Sequence, residues 1–159
     1  MTDQNIQRVL YVLDLARLVE LSMEDFYRAC AGRCPETAAF WLGIAGEEHL
    51  HAQYIRRIRD LVEERQEEFR PRKSVTLDEI REFIHVVETE TCNVVSGMRD
   101  STELPVLSAR FEALMLEHGY YDLLETENGK YRSIVAQMRE ETTEHRLRIR
   151  QHDWTAEIV

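Results

Sequence analysis

GEEHLHAQYI, residues 46–55, sets two glutamates and two histidines within five positions. On a helix they cannot all face one way, because each residue turns the chain by about 100°. The apolar residues on either side give the phase. Phe40, Ile44, Ile55, Ile58 and Val62 recur at helical spacing, and the gaps in that series fall on Glu48 and His51. Residues three apart share a helix face, so these two lie one turn apart on the seam that enters the core. Glu47 and His49 are rotated away from that seam.

Working outward, four more segments carry helical periodicity. The first spans about residues 5–31, with Leu13, Ala16, Met23, Tyr27 and Cys30 on one stripe and Glu20 among them. Gly32 can stop it, and Pro35 suits the first turn of the next helix, which spans about 36–69 and ends before Pro71. SVTLDE (74–79) opens the third, where Thr76 and Glu79 have the spacing of a capping box. Its stripe, Ile80, Ile84, Val87, Thr91, Val94 and Met98, has no ionisable member, and Glu88 and Glu90 lie on its flanks. The fourth spans about 104–128, stopped by Asn128-Gly129. Its series Leu107, Arg110, Leu114, Tyr121 and Leu124 puts Glu117 on the seam. The fifth spans about 130–154, and Ile134, Met138 and Ile149 put Glu141 and His145 there. No segment alternates as a strand would, so the expected fold is all-α in a single domain over 1–159.

Four helices thus bring ionisable groups to core positions. A buried carboxylate is costly unless paired or metal-bound. Four carboxylates and two histidines meeting in one bundle are most simply reconciled by two divalent cations. Their oxygen and nitrogen donors suit iron, manganese or zinc. The plan is that of a di-metal helical bundle: one Glu from each of two helices, and a Glu/His pair from each of the other two. The chain spacing reads as a duplicated hairpin. Glu48 follows Glu20 by 28 positions and His145 follows Glu117 by 28, with the third helix as a long crossover.

Composition narrows the class. The net charge of −10, from 30 acidic and 20 basic residues, speaks against nucleic acid and against an anionic membrane surface. No run of 18 apolar residues is present, and MTDQNIQRVLYVLDLAR has no signal-peptide pattern, so a cytoplasmic setting is expected. Cys30, Cys34 and Cys92 form no C-x-x-C pair, which argues against a disulfide framework.

These residues resemble the rubrerythrin-like branch of the ferritin-like superfamily. ELSMEDFY (20–27) is similar to the family's Glu followed seven residues later by Tyr. GEEHLH (46–51) contains its E-x-x-H as Glu48 and His51, while LEHGYY (116–121) and REETTEH (139–145) resemble the two later core helices. There are two departures: Thr142 stands three residues before His145 where the motif has Glu, and no C-x-x-C pair is present, so a rubredoxin-like domain is not expected.

The resemblance implies a ferritin-like four-helix bundle with an extra helix in the crossover. It implies two iron ions held by Glu20, Glu48, His51, Glu117, Glu141 and His145, with Glu48 bridging and Glu141 a second bridge. The implied activity is that of a non-haem di-iron oxidoreductase, oxidising a di-ferrous centre with hydrogen peroxide or dioxygen and drawing on an external electron donor.

Other readings stand beside it. Glu48 and His51 could be a satisfied polar pair facing Arg110. His118 or Glu112 could approach the site in place of Glu117, and Glu88 or Glu90 could do so if the helix assignment shifts. The protein could be a structural or binding bundle with zinc, a single metal or none, or an iron-storage subunit. A homodimer is also expected. Tyr27 reads as a core filler whose hydroxyl could bond a ligand carboxylate. Trp41 and Trp154 read as core or interface residues.

Overall fold

The computed structural model describes residues 3–72 and 76–154. Helices dominate these residues: α1 (Asp3–Arg33), α2 (Ala38–Glu64), α3 (Leu77–Val95), α4 (Leu104–His118) and α5 (Gly129–Gln151). The fold is all-α, and none of these helices is long and apolar enough to cross a membrane.

The helix boundaries follow local chemistry. α1 runs one residue past Gly32, and Pro35 opens a short 3-10 turn before α2. The segment expected to be helical to 69 stops at Glu64: Arg65 leaves helical backbone, a short 3-10 turn spans Gln66–Glu68, and Pro71 keeps Arg70 extended. Phe69 is instead extended and fully buried, edge-on to Tyr131 at 5.9 Å between ring centroids. The expected capping box at α3 is present: the Thr76 hydroxyl accepts from the Glu79 amide, and the Glu79 carboxylate accepts from the Thr76 amide. Ser74 and Val75 of that motif lie outside the described residues.

Two boundaries differ from the sequence reading in ways that matter for the site. α4 was expected to reach 128 and ends at His118, where Gly119 takes a left-handed conformation (φ +61) and closes on the Met115 carbonyl. Tyr121 and Leu124 therefore leave the helix, and Leu124 pairs with Pro71 in a two-residue β-ladder (Arg70–Pro71 with Leu124–Glu125). Asn128 starts a helix where the sequence reading placed a stop: its side chain accepts from the amides of Lys130 and Tyr131 and caps α5.

α1 and α2 form one hairpin, α4 and α5 pair with each other, and α2 meets α5. α3, between the two hairpins in the chain, packs along α1, and its Phe83 lies edge-on to Phe111 of α4. The stripes read for α1 and α2 are buried as expected, including Leu13, Ala16, Met23, Tyr27, Ile44, Ile55 and Ile58. In α4 the phase differs: Leu104, Ser108, Phe111, Glu112 and Met115 face inward, and Arg110 faces out.

Candidate metal centre

Five ionisable side chains meet in the core: Glu20 of α1, Glu48 and His51 of α2, Glu112 of α4 and His145 of α5, each no more than 1 % exposed. Glu48 lies between the two imidazoles. Its Oε2 is 3.1 Å from His51 Nδ1, and its Oε1 is 3.0 Å from His145 Nδ1. A further carboxylate backs each Nδ1: Glu20 Oε2 at 3.5 Å from His51, and Glu112 Oε1 at 3.6 Å from His145. Two three-residue groups result, Glu20–Glu48–His51 and Glu48–Glu112–His145, and each can hold a metal ion. The imidazole rings lie 5.4 Å apart and nearly parallel.

The outer nitrogen of each imidazole meets a carboxylate at the rim. His51 Nε2 lies 2.7 Å from Glu141 Oε2, and His145 Nε2 lies 2.6 Å from Glu47 Oε2. The second contact is an ion pair whose angle does not make a hydrogen bond. Arg148 in turn pairs with Glu47. Both histidines thus present Nδ1 to the interior. A carboxylate on the far nitrogen of a ligand imidazole fixes the ring and raises its basicity.

Of the residues expected at the site, the structure brings Glu20, Glu48, His51 and His145 together. Glu141 stands at the rim, about one-third exposed, against the outer edge of His51. Glu117 is exposed in the last turn of α4 and joins neither group. The α4 carboxylate in the site is Glu112. Positions 112 and 117 are five residues apart, which turns them about 140° from each other on a helix. Glu88 is exposed, and Glu90 binds Arg99. The sequence reading turned Glu47 away from the seam. It is partly exposed, yet α5 brings His145 to it.

The Thr142 position, where a second E-x-x-H would have its Glu, is buried, and its hydroxyl donates to the Met138 carbonyl at 2.8 Å. α5 therefore gives the interior one ligand, His145. Tyr27 donates its hydroxyl to Glu112 Oε1. Both oxygens of Glu20 and Oε2 of Glu112 are buried with no hydrogen-bond partner. Buried polar atoms are rarely left so, and a cation is a natural partner for bare carboxylate oxygens among nitrogen donors.

The electrostatics follow from burial and pairing. Burial raises Glu20 to about 8. Burial would raise Glu48 too, but the two imidazoliums beside it hold it well below the usual carboxylate range. Burial opposes the charge on the histidines, yet Glu20 and Glu48 lift His51 to about 11, and Glu48, Glu112 and Glu47 lift His145 to about 12. Burial and the nearby Glu48 raise Glu112. Glu47, beside His145 and Arg148, falls to about 2.

Without metal at neutral pH, protons therefore sit on His51, His145 and Glu20. These protons must be displaced for the groups to ligate, so loading should release protons and tighten as pH rises. The metal-free fold should respond in the opposite sense. The raised histidines contribute fully below their ordinary 6.5, and that contribution is lost as pH climbs toward 11 and 12. Glu20 resists ionisation in the folded state between 4.5 and about 8, which also lowers stability as pH rises. Glu48 contributes steadily above 4.5. Thermal melts from about pH 6 to 9 should show the metal-free midpoint falling and the metal-induced gain growing. A gain independent of pH would rule out these ligands.

The molecule is thus an all-α protein with two buried Glu/His groups that share one carboxylate and can hold metal ions. Comparison with protein-family models, with curated proteins and with solved structures returned no match.

Proposed function

We propose that the chain is a ferritin-like bundle of rubrerythrin type that holds two iron ions and acts as a non-haem di-iron oxidoreductase on hydrogen peroxide or dioxygen. The observation that carries this reading is Glu48, fully buried, with one oxygen directed to each Glu/His group. A shared carboxylate between two donor sets is what a two-metal centre needs, and both groups use only oxygen and nitrogen donors. The α1–α2 and α4–α5 pairs serve as the two hairpins, and α3 is the crossover helix.

In this reading Glu48 would be shared between the two ions, Glu20 and Glu112 would each serve one of them, and His51 and His145 would be nitrogen ligands through Nδ1. Glu141 and Glu47 orient the imidazoles from outside. Iron, when bound, supplies the redox couple that reduction of peroxide or dioxygen requires. The chain provides the enclosure. The five ligand side chains are each no more than 1 % exposed within the core, which keeps bulk water away. Thr142 leaves the α5 side without the carboxylate that a second E-x-x-H would supply there.

The test is metal content by mass spectrometry after anaerobic reconstitution with iron(II). About two ions per chain is the expected result, followed by peroxide consumption that depends on them. A second reading is favoured by the pairing within the site: Glu48, Glu47 and Glu141 each lie against one or both histidines and can neutralise them. A chain that binds no metal under these conditions would be a polar-cored structural bundle, and the redox reading would fall.

A further inference from the structure

Tyr27, Trp41 and Trp154 lie in one line. The Tyr27 hydroxyl is bonded to Glu112, at the second metal group. Its ring stacks on Trp41 at 5.9 Å between centroids and 16° between planes. Trp41 in turn stacks on Trp154 at 4.9 Å and 21°. Tyr27 and Trp41 are buried, and Trp154 is partly exposed. Hydrogen bonds fix both indoles: Trp41 Nε1–H donates to Thr37 Oγ1 at 3.1 Å, and Trp154 Nε1–H to the Ile149 carbonyl at 3.0 Å.

Stacked and edge-on contacts are both common for aromatic rings, and this line uses the stacked one twice. The phenylalanines nearby pack edge-on, as aromatic rings often do: Phe40 on Trp41 at 84°, Phe26 on Phe111 at 80°, and Phe83 on Phe111 at 83°. The two near-parallel contacts instead join three readily oxidised rings end to end, from a buried carboxylate to the surface.

The outer end has a distinct setting. Trp154 lines a groove of about 460 Å³ between α4 and α5, with Val106 and Ile149 as apolar wall and Arg110, Arg146 and Arg150 around it. None of these arginines forms an ion pair among the described residues, and Arg146 Nε is buried without a partner. In a chain of net charge −10, this is a local cationic rim that favours a small anion.

We propose that Tyr27, Trp41 and Trp154 form a one-electron relay joining Glu112 to the arginine-rimmed groove; the proposal rests on the redox reading of the same centre. Tyr27 gives one electron to an oxidised transition-metal ion held at Glu112 and its phenolic proton to the Glu112 carboxylate, becoming a neutral radical. Trp41 gives one electron to that radical, which takes the proton back from Glu112. Trp154 then reduces the Trp41 radical cation. A small anionic one-electron reductant of the ascorbate class reduces Trp154 at the groove and is itself oxidised by one electron. The chain ends unchanged, with one electron moved inward.

The relay can be tested on metal-free protein, so its failure is separate from failure to bind iron. A sulfonated ruthenium polypyridyl photo-oxidant with persulfate as quencher generates the hole at the surface. Transient absorption and electron paramagnetic resonance then follow tryptophan and tyrosine radicals. The expected result is a tyrosyl signal that grows as the tryptophan radical decays and that Tyr27→Phe removes. Trp154→Phe and Trp41→Phe, which keep an aromatic ring in place, should each lose most of that Tyr27-dependent signal. Exposed tyrosines contribute a background that Tyr27→Phe retains. A Tyr27-dependent signal undiminished in Trp41→Phe, or its absence from the wild type, would overturn the relay whatever the metal content.

Discussion

Glu48→Gln should leave the chain without bound metal where the wild type, loaded with iron(II), holds about two ions. Glu48 is the one residue common to both three-residue groups, and its two oxygens divide between them. Losing any other ligand leaves one group intact, whereas losing this one breaks both. The substitution also acts on the metal-free fold. Glu48 is the anion between two protonated, fully buried imidazoles, and removing one partner of a buried ion pair costs about 3–5 kcal/mol. That loss should be largest between about pH 4.5 and 6.5, where Glu48 is ionised and the histidine pairing contributes in full, and should shrink as pH rises. Denaturant melts at two pH values check the second effect, and mass spectrometry checks the first. Two ions retained in Glu48→Gln would remove the shared-carboxylate centre from consideration. Glu47→Ala is the contrast. Within the site Glu47 meets the outer nitrogen of His145, and outside it Arg148, so its loss should weaken binding at that position by about 10–100-fold without emptying the site.

The second large effect separates two glutamates of α4. Glu112→Ala should reduce the metal content from about two ions to about one, because Glu20, Glu48 and His51 remain as a complete group. Glu117→Ala should leave both ions in place, since Glu117 is exposed and outside both groups. Glu112→Ala has a further signature. Tyr27 is then buried without its acceptor, and loss of a buried hydrogen-bond partner costs about 1–3 kcal/mol. The opposite pattern, with Glu117→Ala losing an ion and Glu112→Ala keeping two, would mean that α4 turns its other face to the centre.

The sequence by itself determined the helical class, the α3 cap and the inward face of α1 and α2. In those two helices, apolar residues stand both before and after the charged positions at helical spacing. Only one rotation buries Ile44, Ile55 and Ile58 together, and that rotation carries Glu48 and His51 inward. The same holds for Glu20 between Ala16 and Met23. His145 was legible between Met138 and Ile149.

Tertiary structure decided α4. Leu104, Val106, Leu107, Ala109, Phe111, Ala113, Leu114, Met115 and Leu116 surround most of that helix, so hydropathy permits several rotations. What selects one is contact with other helices, where Phe111 meets Phe26 of α1 and Phe83 of α3. That choice buries Glu112 and exposes Glu117. Gly119 completes it by ending the helix where apolar residues alone would have extended it. Glu47 was hidden for a similar reason: it lies off the seam of α2, and only the approach of α5 sets it against His145; the same approach sets Glu141, which the sequence placed on the α5 seam, at the rim against the outer nitrogen of His51. The Tyr27–Trp41–Trp154 line is likewise invisible in one dimension, because it joins α1, α2 and the segment after α5. Periodicity reports which way a residue faces along its own helix; which residue it meets there depends on how the helices pack.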